Sequence, residues 1–196
     1  EKVNSWLGIP QSYECDEFLF KNNNRVWLIS ASAHPAAAAT MLPGFGLEHL
    51  ASMRHFSYMA SVSAMIHDIT SGKIYPRDED RVHIDYTINL DDRHQLALGL
   101  VEAARILFFA GASEVILPLS NPIHLKNKDD LKSLPPKLMN TKLNMVATHP
   151  MSTIRMGNSN KTSSVDNYGK YHHLDNLFVA DTSVFPSSIG VPPQIS

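Results

Sequence analysis

Cysteine is almost missing from this sequence: Cys15 stands alone among 196 residues. One thiol cannot build an internal disulfide framework, and a thiolate zinc site would lack its second ligand. Long apolar runs are missing as well. No stretch reaches the roughly eighteen residues needed to span a bilayer, and the start carries no basic segment followed by a signal core. An excess of basic charge is also lacking: 17 Lys and Arg stand against 19 Asp and Glu, a net charge of −2 with His neutral. Nothing is left over to neutralise phosphates, and no Lys/Arg-rich run occurs, which disfavours nucleic-acid binding. The sequence has no GxSxG elbow, no kinase motif set and no P-loop, so hydrolase and phosphotransfer chemistry have no visible basis. The compartment stays open.

What is present suits a folded domain or pieces of two. Hydrophobic residues make up 43% and charged residues 18%, too apolar a balance for a disordered tail. A chain of this size can bury about 70% of the surface that its unfolded form exposes. It opens on Glu1 and stops at "PPQIS", which reads as a portion of something longer.

Local signals predict the elements. "EFLF", the Asn-rich Asn22–Asn24 and "RVWLIS" read as a hairpin, and a short Ala helix is expected after Pro35, ending near Pro43. Met53 to Ile69 is apolar enough for a strand, with a buried helix as the alternative. "KIYP" and "RVHIDYTI" alternate like paired strands around the acidic "RDED". The clearest element starts at Asp91 and Asp92, which can cap free amides, and runs to Ala110 before Gly111 supplies a left-handed stop. Its apolar stripe is Leu96, Leu100, Ala103, Ala104 and Leu107. "SEVILP" reads as a further strand, and Asn121 to about Leu143, rich in Lys, Asp, Pro and Asn, as a surface excursion with short helical turns, a candidate flexible lid. "LFVADTSVFP" reads as an apolar strand running into a turn.

Two stretches carry the chemistry: "HPMSTIRMG", His149 to Gly157, and "NLFVADTSVFPSSIGVPPQ", Asn176 to Gln194. Together they resemble the C-terminal signature of the glucose–methanol–choline (GMC) family of flavin-dependent oxidoreductases. That signature has an "HPxGTxRMG"-like segment, then "VD", then an "NLxVxDxSxxP" strand and a Gly-containing turn. The match keeps order and spacing through His149, Pro150, Thr153, Arg155, Met156, Gly157, Val165, Asp166, Asn176, Leu177, Asp181, Ser183, Pro186 and Gly190. With the upstream "GKIYP…IDY…DD…FFAGASEV" progression, the similarity spans roughly Gly72 to Ser196.

The resemblance implies an enzyme that oxidises a small-molecule alcohol (a CH–OH donor) to a carbonyl. Such a reaction removes a hydroxyl proton and a hydride, and the hydride needs an organic acceptor that no side chain provides. FAD is that acceptor in the family. The proton needs a base near neutral pH, the role for which an imidazole is best suited. The resemblance assigns it to His149, whose backbone Pro150 pushes toward extended conformations. It also puts Asp181, Thr182, Pro193 and Gln194 beside the cofactor. Arg155 could steady backbone or a developing negative charge, or form a plain salt bridge. One position departs from the pattern. Pro192 stands where many members carry an Asn or His that binds the substrate oxygen, and proline offers neither a side-chain donor nor an amide hydrogen. Ser187, Ser188 or Gln194 takes that place, or the base works alone, or activity is weak or altered.

The expected fold class is α+β. Residues 1–147 would form an antiparallel sheet backed by helices, part of a substrate domain. Residues 148–196 would return to a Rossmann-like FAD domain whose remainder lies outside this sequence. "GFGLEH" lacks the third glycine of a dinucleotide fingerprint and reads as a turn. His49 with His55, and the adjacent His172 and His173, are poorly spaced for a metal, so none is expected. Two alternatives remain, a catalytically degenerate FAD-binding relative and a non-enzymatic module binding apolar ligands. Nothing in the sequence specifies the oligomeric state or the alcohol.

Overall fold

The computed structural model describes residues 1–9, 11–78 and 80–194. In chain order its elements are β1 (Glu14–Cys15), β2 (Val26–Ala31), α1 (Pro35–Met41), α2 (Gly46–Arg54), β3 (Ser61–Ile66), β4 (Lys73–Asp78) and β5 (Arg81–Asp85). They continue with α3 (Leu90–Phe109), β6 (Val115–Leu117), β7 (Ile123–Leu125) and α4 (Leu134–Asn140). The class is α+β, with small antiparallel sheets and helices. Two units form, Glu1–Ile66 with Leu90–Met145, and His67–Asn89 with Val146–Ser196, of which Ile195 and Ser196 lie outside the described residues.

The first unit is organised around α3. Its C-terminus closes as the sequence predicts: Gly111 has φ 95°, its amide donates to Phe108, and the Ala112 amide reaches back to Leu107. These are the two bonds of a glycine-terminated helix end. One side of α3 lies on the β1–β2–β3 sheet, whose register pairs Val26 with Ile66 and Ala31 with Ser61. Gly99 permits the close approach, since a Cβ there would lie 2.8 Å from the Ala64 Cβ and 2.9 Å from Val26 Cγ1. On another side Ala97, Val101, Ala104 and Phe108 pack with β6, Leu131, Leu134 and Leu138.

Several expectations change here. "EFLF" is a turn closed by the Leu19 amide on Asp16, and the first strand of the hairpin lies upstream at Glu14–Cys15. Leu19 is buried and Phe18 packs on the core from that turn, so their hydrophobicity reports burial without extension. Asp91 and Asp92 sit inside the first turn of α3, where negative charge suits the helix N-terminus. Both hold Arg25, at 2.6 and 3.0 Å, and Asp92 is fully buried. Asn121 to Leu143 has the expected short helical turns and a largely exposed surface, but it is anchored and does not hang free as a lid would: Leu134 and Leu138 are completely buried. Arg93 fastens this segment by donating to the Leu138, Met139 and Thr141 carbonyls at the end of α4, which that helix leaves unsatisfied. Met53 to Ile69 divides into the end of α2, a single 3₁₀ turn and β3.

In the second unit β4 and β5 form the expected hairpin, with Ile74 opposite Ile84 and Pro76 opposite Val82 on one exposed face. Asp78, expected in the connection, is still paired with Arg81, and Glu79 lies outside the described residues. From Val146 onward regular structure is scarce. Isolated bridges join Met156 to Val165, Val165 to Tyr171 and Lys170 to Phe178, around a fully buried Val165. The "LFVADTSVFP" strand is reduced to that last bridge, followed by one 3₁₀ turn over Thr182–Val184.

Candidate active site

All of the candidate residues lie in the second unit. "HPMSTIRMG" cannot form a continuous ladder from its start, because Pro150 has no amide hydrogen to donate. Further along it does pair with the return segment: the Ile154 amide donates to the Ser183 carbonyl at 3.0 Å, and Met156 donates to Val184 at 2.8 Å. At the proline the bond comes from a side chain, as Thr182 Oγ1 donates to the Pro150 carbonyl at 2.9 Å. The two motif stretches are thereby joined along one edge.

His149 lies at the start of this edge. It is half-buried, and neither ring nitrogen is hydrogen-bonded among the described residues. Other histidines are committed to structure. His34 Nδ1 accepts the Ala36 amide at the start of α1, and His124 pairs with Glu114 at 2.8 Å. His172 Nε2 lies 3.0 Å from Ser163 Oγ and 3.2 Å from the Gly157 carbonyl. Ser163 Oγ is also 2.7 Å from the Ser159 carbonyl. A ring nitrogen bearing hydrogen satisfies this cluster, so His172 acts as a clasp on the loop after Gly157. His173 packs edge-on against Tyr171. Among the described residues no group of three or more His, Cys, Asp or Glu side chains converges as metal ligands would.

Asp181 caps the Thr182–Val184 turn by accepting the Ser183 amide at 2.8 Å. The Ser183 hydroxyl and then its amide hold the Asp181 carboxyl below the usual carboxylate range. The hydroxyl reaches no full hydrogen-bond geometry and is buried without a partner among the described residues, so the amide bond is the firm contact. Thr182 is half-buried, Asp181 and Gln194 are exposed, and Pro193 is partly covered. Among the described residues no hydrogen bond ties Gln194, Ser187 or Ser188 to the His149 stretch, and the Arg155 guanidinium makes no ion pair.

Two features escape the sequence reading. Ser152 has φ 70°, in the left-handed region that favours glycine, and stands where the "HPxGTxRMG" pattern has its first Gly. His67 packs against the return segment: a Cβ on Gly190, itself at φ 75°, would lie 2.7 Å from the His67 Cβ. The glycine in the pattern was the available signal for Ser152. For His67 there was none, because its neighbour is distant in sequence.

The GMC oxidoreductase family model matches residues 68–196. An uncharacterized GMC-type oxidoreductase of Mycobacterium tuberculosis is 27% identical over 196 residues, covering 100% of this chain and 31% of that protein. Two long-chain-alcohol oxidases of Arabidopsis thaliana are also similar. One is 32% identical over 164 residues (77% of this chain, 21% of the oxidase), the other 29% over 180 residues (83% and 23%). No solved structure matches. The chain belongs to the GMC oxidoreductase family. It spans about a third or less of the length of these relatives. Among the described residues no helix is long and apolar enough to cross a membrane.

Proposed function

We propose that this chain supplies the general base and one edge of the cofactor site of an FAD-dependent enzyme that oxidises alcohols to carbonyls. The observation that carries this reading is the position of His149. It is half-exposed, its ring nitrogens are unengaged among the described residues, and it heads a stretch bonded to the 182–184 return segment. A ring nitrogen so placed can take the substrate hydroxyl proton. FAD, when bound, supplies the acceptor for the hydride and its two electrons, which no side chain offers. Asp181, Thr182, Pro193 and Gln194 would hold it, with residues 148–196 completing its domain.

The edge fits such a group. Asp181 and Gln194 present polar side chains outward, and the buried Ser183 hydroxyl has no partner among the described residues. Pro192 contributes no donor, so in this reading His149 carries the proton transfer alone or with a group from elsewhere in the protein.

The test is anaerobic bleaching of the flavin in the full-length protein by a panel of alcohols. Long-chain alcohols come first, because relatives are named for them. His149→Ala is expected to slow bleaching by about 10²- to 10⁴-fold, the usual range for a positioned general base. Bleaching by no alcohol, or bleaching indifferent to His149→Ala, would instead favour the catalytically degenerate relative.

A further inference from the structure

Ser152 is the strained point in the stretch that begins with His149. Its φ of 70° is a conformation that an L residue disfavours by about five- to thirtyfold. A non-glycine residue stays there only when its surroundings hold it. On the C-terminal side the hold is backbone, Ile154 to Ser183 and Met156 to Val184. On the N-terminal side, toward His149, Pro150 has no amide to extend that ladder. Among the described residues the one hydrogen bond on residues 147–151 is from the Thr182 hydroxyl to the Pro150 carbonyl, at 2.9 Å.

We propose that Thr182 is a positioning residue for His149: its hydroxyl clamps the Pro150 carbonyl and, with the Ile154 bond, keeps the intervening Ser152 left-handed so that the imidazole is held in one direction. This rests on the reading of His149 as the base. It gives the Thr182 side chain a task separate from any contact of its backbone with the cofactor. Without the clamp Ser152 is free to relax, and the peptide units before it rotate and carry the ring with them. General-base catalysis depends on direction at hydrogen-bond range, so the chemical step should suffer more than alcohol binding.

The experiment uses the full-length, flavin-loaded protein and compares Thr182→Val, which keeps the shape and removes the donor, with Thr182→Ser, which keeps the donor. Thr182→Val is expected to lower the limiting rate of anaerobic flavin reduction about three- to tenfold, with the half-saturating alcohol concentration unchanged. Thr182→Ser should retain more of the rate than Thr182→Val, because it keeps the donor to the Pro150 carbonyl. Adding Ser152→Gly to Thr182→Val should recover part of the rate, because glycine adopts φ 70° without penalty. A readout independent of turnover is exchange of the Ile154 amide, which is bonded to the Ser183 carbonyl and should quicken in Thr182→Val and not in Thr182→Ser.

A rate unchanged in Thr182→Val, while His149→Ala still abolishes bleaching, overturns the proposal and leaves the function standing. So does equal impairment by Val and Ser. A slower rate without faster exchange also overturns it, since the hydroxyl would then act on the cofactor and not on the turn. Bleaching indifferent to His149→Ala defeats the parent reading instead.

Discussion

Replacing Gly190 by alanine probes the seat of the segment that carries Pro193 and Gln194. Gly190 is buried at φ 75°, and an added Cβ would come within 2.7 Å of the His67 Cβ, 2.9 Å of Cγ and 3.0 Å of Nδ1. Rotating the imidazole relieves the last two contacts but not the first, because Cβ is fixed to the backbone. Two costs add. Alanine in the left-handed region loses about 1–2 kcal/mol, and overpacking against an atom that cannot yield loses about 1–3 kcal/mol. A stiffer unfolded chain returns about 0.4–1 kcal/mol. The net is a loss of about 1–4.5 kcal/mol, which multiplies the locally opened population by about 5- to 1,500-fold at 1.4 kcal/mol per tenfold. Limited proteolysis of the full-length protein within residues 186–194 reads that population when reclosing is fast. Gly111→Ala is the control, since Gly111 has φ 95° and no atom within 4 Å of an added Cβ, so it carries the backbone cost alone. If cleavage in Gly190→Ala accelerates no more than local opening does in Gly111→Ala, the contact with His67 is not the constraint described, and the reasoning fails.

Two further outcomes are expected. Leu138 is completely buried in the cluster that joins α3, β6 and α4, so Leu138→Ala should cost about 2–4 kcal/mol in unfolding measurements; a mobile lid would show a change within about 0.5 kcal/mol. The folded-state pKa of Asp181 lies below its unfolded value, chiefly through the Ser183 side chain and amide. The cap should therefore be fully present above the unfolded value of about 4 and be lost as pH falls through the lowered one. The Ser183 amide resonance followed by pH titration should be flat from neutrality to about pH 5 and move only below. A midpoint at or above 4 would contradict the cap.

The motif stretches were legible because their chemistry is local. A histidine before a proline, an Asp two residues before a Ser and a glycine past a helix end act through neighbours on the chain. The resemblance built on them agrees with the family match over 68–196. The end of α3 at Gly111, the helix after Pro35 and the β4–β5 hairpin were readable for the same reason, since caps, prolines and alternation act over a few residues. The composition of Asn121 to Leu143 gave its exposed side and short helical turns but not its anchorage, because Lys, Asp and Pro describe only the outward face. Leu131, Leu134 and Leu138 are spaced to meet α3, and whether that face finds a partner depends on the rest of the fold.

Residue order alone determined the family, the base candidate at position 149 and the ends of the principal helix. Tertiary structure decided which groups hold that candidate in place. It set the Thr182 hydroxyl on Pro150, forced Ser152 into a conformation its own preferences oppose, and seated Gly190 on His67. These are contacts between distant parts of the chain, made where backbone bonding is interrupted by a proline or tightened by a glycine. No local propensity encodes them, because their energy exists only once both partners have been brought together.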